Sequence, residues 1–144
     1  MKAIYVDARP ARPGRKLTAR AAADVMSSPV ASVSQDTVLG EALRMMVRLR
    51  QRHLVVVDGD GRCVGVLADR TIAAEWAHNP ASLSVRRVGS TLTRPPAVVG
   101  PQAKVLDVAR FMRATGTDAV AVADAGGQPV GIVTGTDLVA LLAA

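Results

Sequence analysis

The chain states much of itself twice. Val38-Leu39-Gly40-Glu41-Ala42-Leu43-Arg44-Met45 matches Val105-Leu106-Asp107-Val108-Ala109-Arg110-Phe111-Met112 at an offset of 67. Leu54-Val55-Val56-Val57-Asp58-Gly59-Asp60-Gly61 matches Val120-Ala121-Val122-Ala123-Asp124-Ala125-Gly126-Gly127 at 66, and Val64-Gly65-Val66-Leu67 matches Val130-Gly131-Ile132-Val133 in that second register. A one-residue deletion in the second copy is expected to reconcile the offsets. Copies of roughly 60 residues are each marginal as independent domains, which predicts that they fold against one another as one unit.

Each copy has the same order of signals. A short extended piece follows a proline (Pro29 to Val33; Pro96 to Val99). A helix comes next, with apolar residues three and four apart: Val38, Ala42, Met45, Met46 and Leu49, then Val105, Val108, Ala109 and Met112. Ser34 to Thr37 offers capping side chains for the first helix, and Asp69 reads as a cap farther on. A Val-rich run, a turn at Asp58-Gly59-Asp60-Gly61 or Asp124-Ala125-Gly126-Gly127, and a further apolar run predict a β-hairpin. A closing helix ends each copy, with Trp76 expected to anchor its face. The fold class is therefore α/β (α+β), as β-α-β-β-α twice: a leader over 1–19, one copy over 20–79 and another over 80–144.

Composition narrows the function classes. One Phe, one Tyr and one Trp among 144 residues leave an aliphatic core and little material for stacking bases. No apolar run approaches the roughly 18 residues of a membrane span, and the first residues lack the apolar stretch of a signal peptide, so a cytoplasmic protein is expected. A single cysteine, Cys63, rules out an internal disulfide. With His53 and His78 the only histidines, a Cys/His zinc site has too few ligands. The net charge of +6 sits almost wholly in residues 1–20, where Lys2, Arg9, Arg12, Arg15, Lys16 and Arg20 face Asp7 alone. This Pro- and Arg-rich leader reads as a solvated arm, so nucleic-acid binding is the third of three readings.

The doubled order and hairpin chemistry, together with Ala22-Ala23-Asp24-Val25-Met26 and Gly131-Ile132-Val133-Thr134-Gly135-Thr136-Asp137, resemble the CBS domain over residues 20–144. Such domains usually stand in tandem as a Bateman module. The first of these segments is similar to the opening of a first copy. The second is similar to the family's Gly-apolar-apolar-Ser/Thr-x-x-Asp ending. The resemblance implies a pseudo-two-fold pair with two clefts for adenine nucleotides.

By that resemblance Asp137 accepts hydrogen bonds from the ribose hydroxyls and Thr134 lies alongside. Ala31 and Ile132 wall the adenine, Thr136 stands near the base, and Arg52, His53 and Arg70 meet phosphate. From spacing alone Thr134-x-x-Asp137 is also a capping box, and the two roles are compatible. His53 stands equally as a phosphate contact or a satisfied histidine near a helix end. In the first copy Ala68 and Thr71 replace the Thr and the Asp, so that copy lacks an acidic clamp. In the second copy Asp118-Ala119 and Thr136 replace the cations. One competent cleft and one degenerate cleft are expected, with Asp118 repelling phosphate in the latter.

No catalytic constellation is apparent, so the chain reads as a non-enzyme with no required cofactor. The leading reading is a stand-alone regulatory module that senses AMP, ADP or ATP, with S-adenosylmethionine also open, and that forms a homodimer through its helices. The second is a ligand-free interaction scaffold.

Overall fold

The computed structural model describes residues 19–144. The expectations for the basic leader fall on residues 1–18, outside them. The first copy holds α1 (Ala22–Val25), β1 (Ser32–Ser34), α2 (Leu39–Leu49), β2 (His53–Val57), β3 (Cys63–Ala68) and α3 (Asp69–His78), and the second opens with α4 (Ser82–Val85), which packs on the first. After a 3-10 turn at Val88–Thr91 come β4 (Val98–Val99), α5 (Val105–Thr115), β5 (Ala119–Ala123), β6 (Pro129–Thr134) and α6 (Gly135–Ala143). The β-α-β-β-α order thus occurs twice. Each copy builds a three-stranded sheet in which the middle strand pairs parallel with the first and antiparallel with the third.

The register of the repeat is 66 throughout, and the expected one-residue deletion is absent. Leu39, Ala42 and Met46 are the buried stripe of α2, and Val105, Val108 and Met112 are that of α5. The offset of 67 arose from a chance match of Val-Leu pairs. It would set Val38, which stands just outside α2, against Val105, the first residue of α5. Both helices end on a left-handed residue, Arg50 (φ 55°) and Gly116 (φ 70°). Gln51 N and Thr117 N then donate to the carbonyls of Met46 (3.0 Å) and Met112 (3.1 Å), closing the last turn.

The hairpin turns form as predicted, by one device used twice. Asp58 Oδ1 accepts from Asp60 N (2.9 Å) and Arg62 N (3.0 Å), while Asp124 Oδ1 accepts from Gly126 N (3.0 Å) and Gln128 N (2.9 Å). Gly61 and Gly127 take the positive φ these turns require.

The copies exchange arms. Ala22 N donates to Ala103 O (2.8 Å), Val105 N to Arg20 O (2.9 Å), and Ser27 exchanges backbone bonds with Ile132 (2.8 and 3.1 Å). The segment that resembles the opening of the first copy therefore packs on the second. In return Leu39 N donates to Arg86 O (2.9 Å) and Val88 N to Thr37 O (2.8 Å). Ala22 lies wholly within the second core and Val88 within the first. Each core is aliphatic and needs the other copy's arm to close. Fully buried side chains such as Leu39, Leu54, Leu67 and Ile72 contribute roughly 1.5–3 kcal/mol each through burial. Cys63 N also reaches Gly127 O (2.8 Å), tying the hairpins together.

Three local expectations are corrected. Val38 stands at the N-cap of α2 and no side chain caps it; Ser34 Oγ accepts instead from Asp36 N within its own turn (3.1 Å). Asp69 is the first residue of α3, behind the N-cap residue Ala68, and its carboxylate accepts from Arg52 Nε (3.0 Å). Trp76 is 56% exposed, since the core beneath α3 is already filled by Ile72, and its ring borders a shallow groove with Leu43 and Leu83.

Candidate functional site

The two sheets and their arms leave a cleft of about 680 Å3 between the copies. Asp137, Thr134, Thr136, Ile132, Ala31, Arg52, His53 and Arg70 all line it, so residues singled out from two distant stretches of sequence meet on one surface. The repeat explains the convergence. The start of β2 and the start of α3 bring Arg52, His53 and Arg70 from the first copy. The end of β6 and the start of α6 bring Ile132, Thr134, Thr136 and Asp137 from the second.

Thr134 and Asp137 form the capping box that their spacing allows. Asp137 Oδ2 accepts from Thr134 N (2.8 Å) and Thr134 Oγ1 (3.2 Å), and Asp137 N donates back to Thr134 Oγ1 (3.3 Å). Asp137 Oδ1 accepts from Ser27 Oγ (3.1 Å). A carboxylate has about four lone-pair positions, so the cap leaves acceptor capacity for further donors.

The cationic side is already paired. Arg52 Nε donates to Asp69 Oδ2 (3.0 Å), His53 Nε2 lies 3.3 Å from Asp118 Oδ1, and Arg70 Nη2 lies 3.5 Å from the same oxygen. Arg70 Nη2 also donates to Gly116 O (3.2 Å). Asp118, expected in the degenerate cleft, lines both clefts. Arg70 does so too, and the expectation that the second cleft lacks a cation is corrected accordingly. These two residues stand between the clefts, beside the contact of His53 at the start of β2 with Asp118 just before β5.

The second cleft is the symmetry mate of the first and is much smaller, about 190 Å3. Ala68 and Thr71 occupy the places of Thr134 and Asp137, and Ala119 that of His53. Ala68 cannot cap α3 through its side chain, and no such bond is present.

Sequence reasoning missed Ser27 and Arg50, and it misplaced Asp118. Ser27 enters through the exchanged arm, which no local pattern reveals. Arg50 stands where the mate has Gly116, so the correct repeat register would have marked it. Cys63 lies away from the cleft in β3. Burial pushes its thiol above the ordinary range, opposed by a hydrogen bond from the Gly65 backbone, and this disfavours the reactive thiolate. Among the described residues no group of three metal-binding side chains occurs, and no helix is long and apolar enough to cross a membrane.

The comparisons with known proteins agree with this architecture. The CBS domain family matches twice, over residues 22–78 and 85–144. A CBS domain-containing protein of Dictyostelium discoideum is 29% identical over 127 residues, covering 82% of this chain and 88% of that relative. Among solved structures, the CBS domain pair of protein MJ0100 in complex with 5′-methylthioadenosine and S-adenosyl-L-methionine is 26% identical. It superposes with a TM-score of 0.73 over 85% of this chain and 99% of that one. CBSX2 in complex with AMP is also 26% identical, with a TM-score of 0.68 over 85% and 96%. Two matched copies, two sheets of one topology and two clefts across a pseudo-two-fold identify the chain as a member of the CBS domain family, built as a CBS pair.

Proposed function

We propose that this CBS pair is a regulatory module that binds one adenine nucleotide in its larger cleft. AMP, ADP and ATP are the leading ligands, S-adenosylmethionine is a further one, and a cytoplasmic setting fits such a sensor. The observation that carries the reading is the meeting of Asp137 and Thr134 from one copy with Arg52, His53 and Arg70 from the other across a single cleft. Its volume of about 680 Å3 suits a nucleotide-sized ligand. The complexes of MJ0100 and CBSX2 named above show that pairs of this fold accept adenosyl compounds. In this reading Asp137 receives the ribose hydroxyls, with Ser27 giving up or sharing its oxygen. Ala31 and Ile132 flank the base beside Thr136, and the first-copy cations face the phosphate.

The regulatory output follows from linkage. A ligand that touches both copies stabilises the arrangement in which both halves of its site are in place, and a partner that reads that arrangement senses the ligand. Homodimerisation through helix faces belongs to the same proposal. Val47, Val139 and Leu142 are each at least 65% exposed on α2 and α6, apolar surface that a second module would cover. A thermal-shift panel of AMP, ADP, ATP, S-adenosylmethionine and NAD tests the reading. An adenosyl ligand should raise Tm in proportion to ln(1 + [L]/Kd). A flat response to the whole panel contradicts it and favours the ligand-free scaffold.

A further inference from the structure

The phosphate end of the larger cleft carries its own anion. Asp118 Oδ1 stands 3.3 Å from His53 Nε2 and 3.5 Å from Arg70 Nη2, the two groups that the proposed function sets against the phosphate. Asp69 stands in the same relation to Arg52, at 3.0 Å. Around the whole cleft three arginines, Arg50, Arg52 and Arg70, are matched by three aspartates, Asp69, Asp118 and Asp137. Such a wall has no surplus of fixed positive charge, which is what a polyphosphate needs.

The Asp118 backbone is fixed in place. Its backbone carbonyl accepts from Gly135 N (2.9 Å), at the first turn of α6, and the next residue opens β5. Arg70 is held on the same side by its bond to Gly116 O. A phosphate that reaches His53 and Arg70 therefore lies against the Asp118 carboxylate, or displaces it from both partners at once. Each additional phosphate charge enters a cleft whose three arginines are already balanced by three aspartates.

We infer that Asp118 is a specificity-determining residue that limits the charge of the ligand, so that the cleft selects neutral or monophosphorylated adenosyl compounds against adenosine polyphosphates. This rests on the adenosyl-binding reading above and adds a rank order to it. Repulsion between unit charges a few ångströms apart in a partly wet cleft corresponds to a factor on the order of ten in affinity.

Calorimetric titration of the full chain with adenosine, AMP and ATP, without divalent cations and at one fixed salt concentration, tests the inference. Adenosine and AMP should bind within about threefold of each other, and ATP about tenfold or more weaker. Asp118→Asn should leave adenosine unchanged within about twofold and tighten ATP by about tenfold, closing the gap. Asp118→Ser, which also removes the charge, should do the same. The side chain is nearly half exposed, so neither variant disturbs a core. ATP binding as tightly as AMP to the wild type overturns the inference and leaves the adenosyl reading standing. Loss of AMP affinity in Asp118→Asn also overturns it, since Asp118 would then be positioning the cations for phosphate. Failure of all three ligands on all three proteins overturns the inference and the adenosyl reading together.

Discussion

Thr134 and Asp137 hold each other across the first turn of α6, the threonine hydroxyl accepting from Asp137 N (3.3 Å) and the carboxylate accepting from Thr134 N (2.8 Å). The same carboxylate faces the cleft, so one side chain both starts a helix and stands at the proposed ribose position. Asp137→Ala is expected to lower stability by roughly 1 kcal/mol, because it removes the third-residue half of the capping box whose N-cap is Thr134. Thr134→Ala is expected to cost a similar amount by the same route. Denaturant titration reads both, and a variant as stable as the wild type would show that α6 does not depend on its cap.

Gly131 is expected to tolerate no side chain. A Cβ there would stand 2.3 Å from Met26 Sδ, 2.7 Å from Cγ and 3.0 Å from Cβ, against the arm that carries Ser27 into the cleft. The mate position, Gly65, meets only the end of Leu92, with Cδ2 at 3.0 Å. Gly131→Ala should therefore cost about 1–3 kcal/mol by overpacking and Gly65→Ala less, because a terminal methyl turns away more easily than a side-chain stem. Equal melting temperatures for the two variants would mean that the arm yields freely.

Arg50 holds a left-handed conformation (φ 55°) where its repeat mate is Gly116. Left-handed backbone costs a side-chain-bearing residue on the order of 1 kcal/mol, part of which a glycine recovers and part of which its looser unfolded chain takes back. Arg50→Gly is expected to be neutral or to stabilise by up to about 1 kcal/mol. A clear loss of stability on chemical denaturation would show that the arginine side chain holds the structure together, not merely the rim of the cleft.

The sequence made the architecture legible because the copies repeat their period, turn residues and proline starts in the same order. Hairpins and helices follow from patterns within a few residues of each other, or from the repeat itself, and the larger cleft's walls from the resemblance to the CBS domain. What escaped depends on contacts distant in the chain. The arm exchange turns on where Ala22 and Val88 find a core, and each finds the other copy's. Asp118 was misplaced because alignment assigns a residue to its own copy, whereas the partition between the clefts belongs to both. An apolar side chain at helical spacing does not reveal that Ile72 fills the core and leaves Trp76 exposed. The match at 67 pairs identical residue types, whereas the buried stripes of α2 and α5 repeat at 66.

In the proposed function the two clefts, alike in backbone, differ in competence because one helix begins with Thr134 and Asp137 and the other with Ala68 and Thr71. Calorimetric titration with AMP of the wild type, Asp137→Ala and Thr71→Ala tests this most directly. On this reading one AMP binds per chain, and its affinity is unchanged in Thr71→Ala. Asp137→Ala should lose about tenfold or more, the value of a charge-assisted hydrogen bond to ribose. Two AMP molecules per chain, or equal losses from the two substitutions, would contradict it.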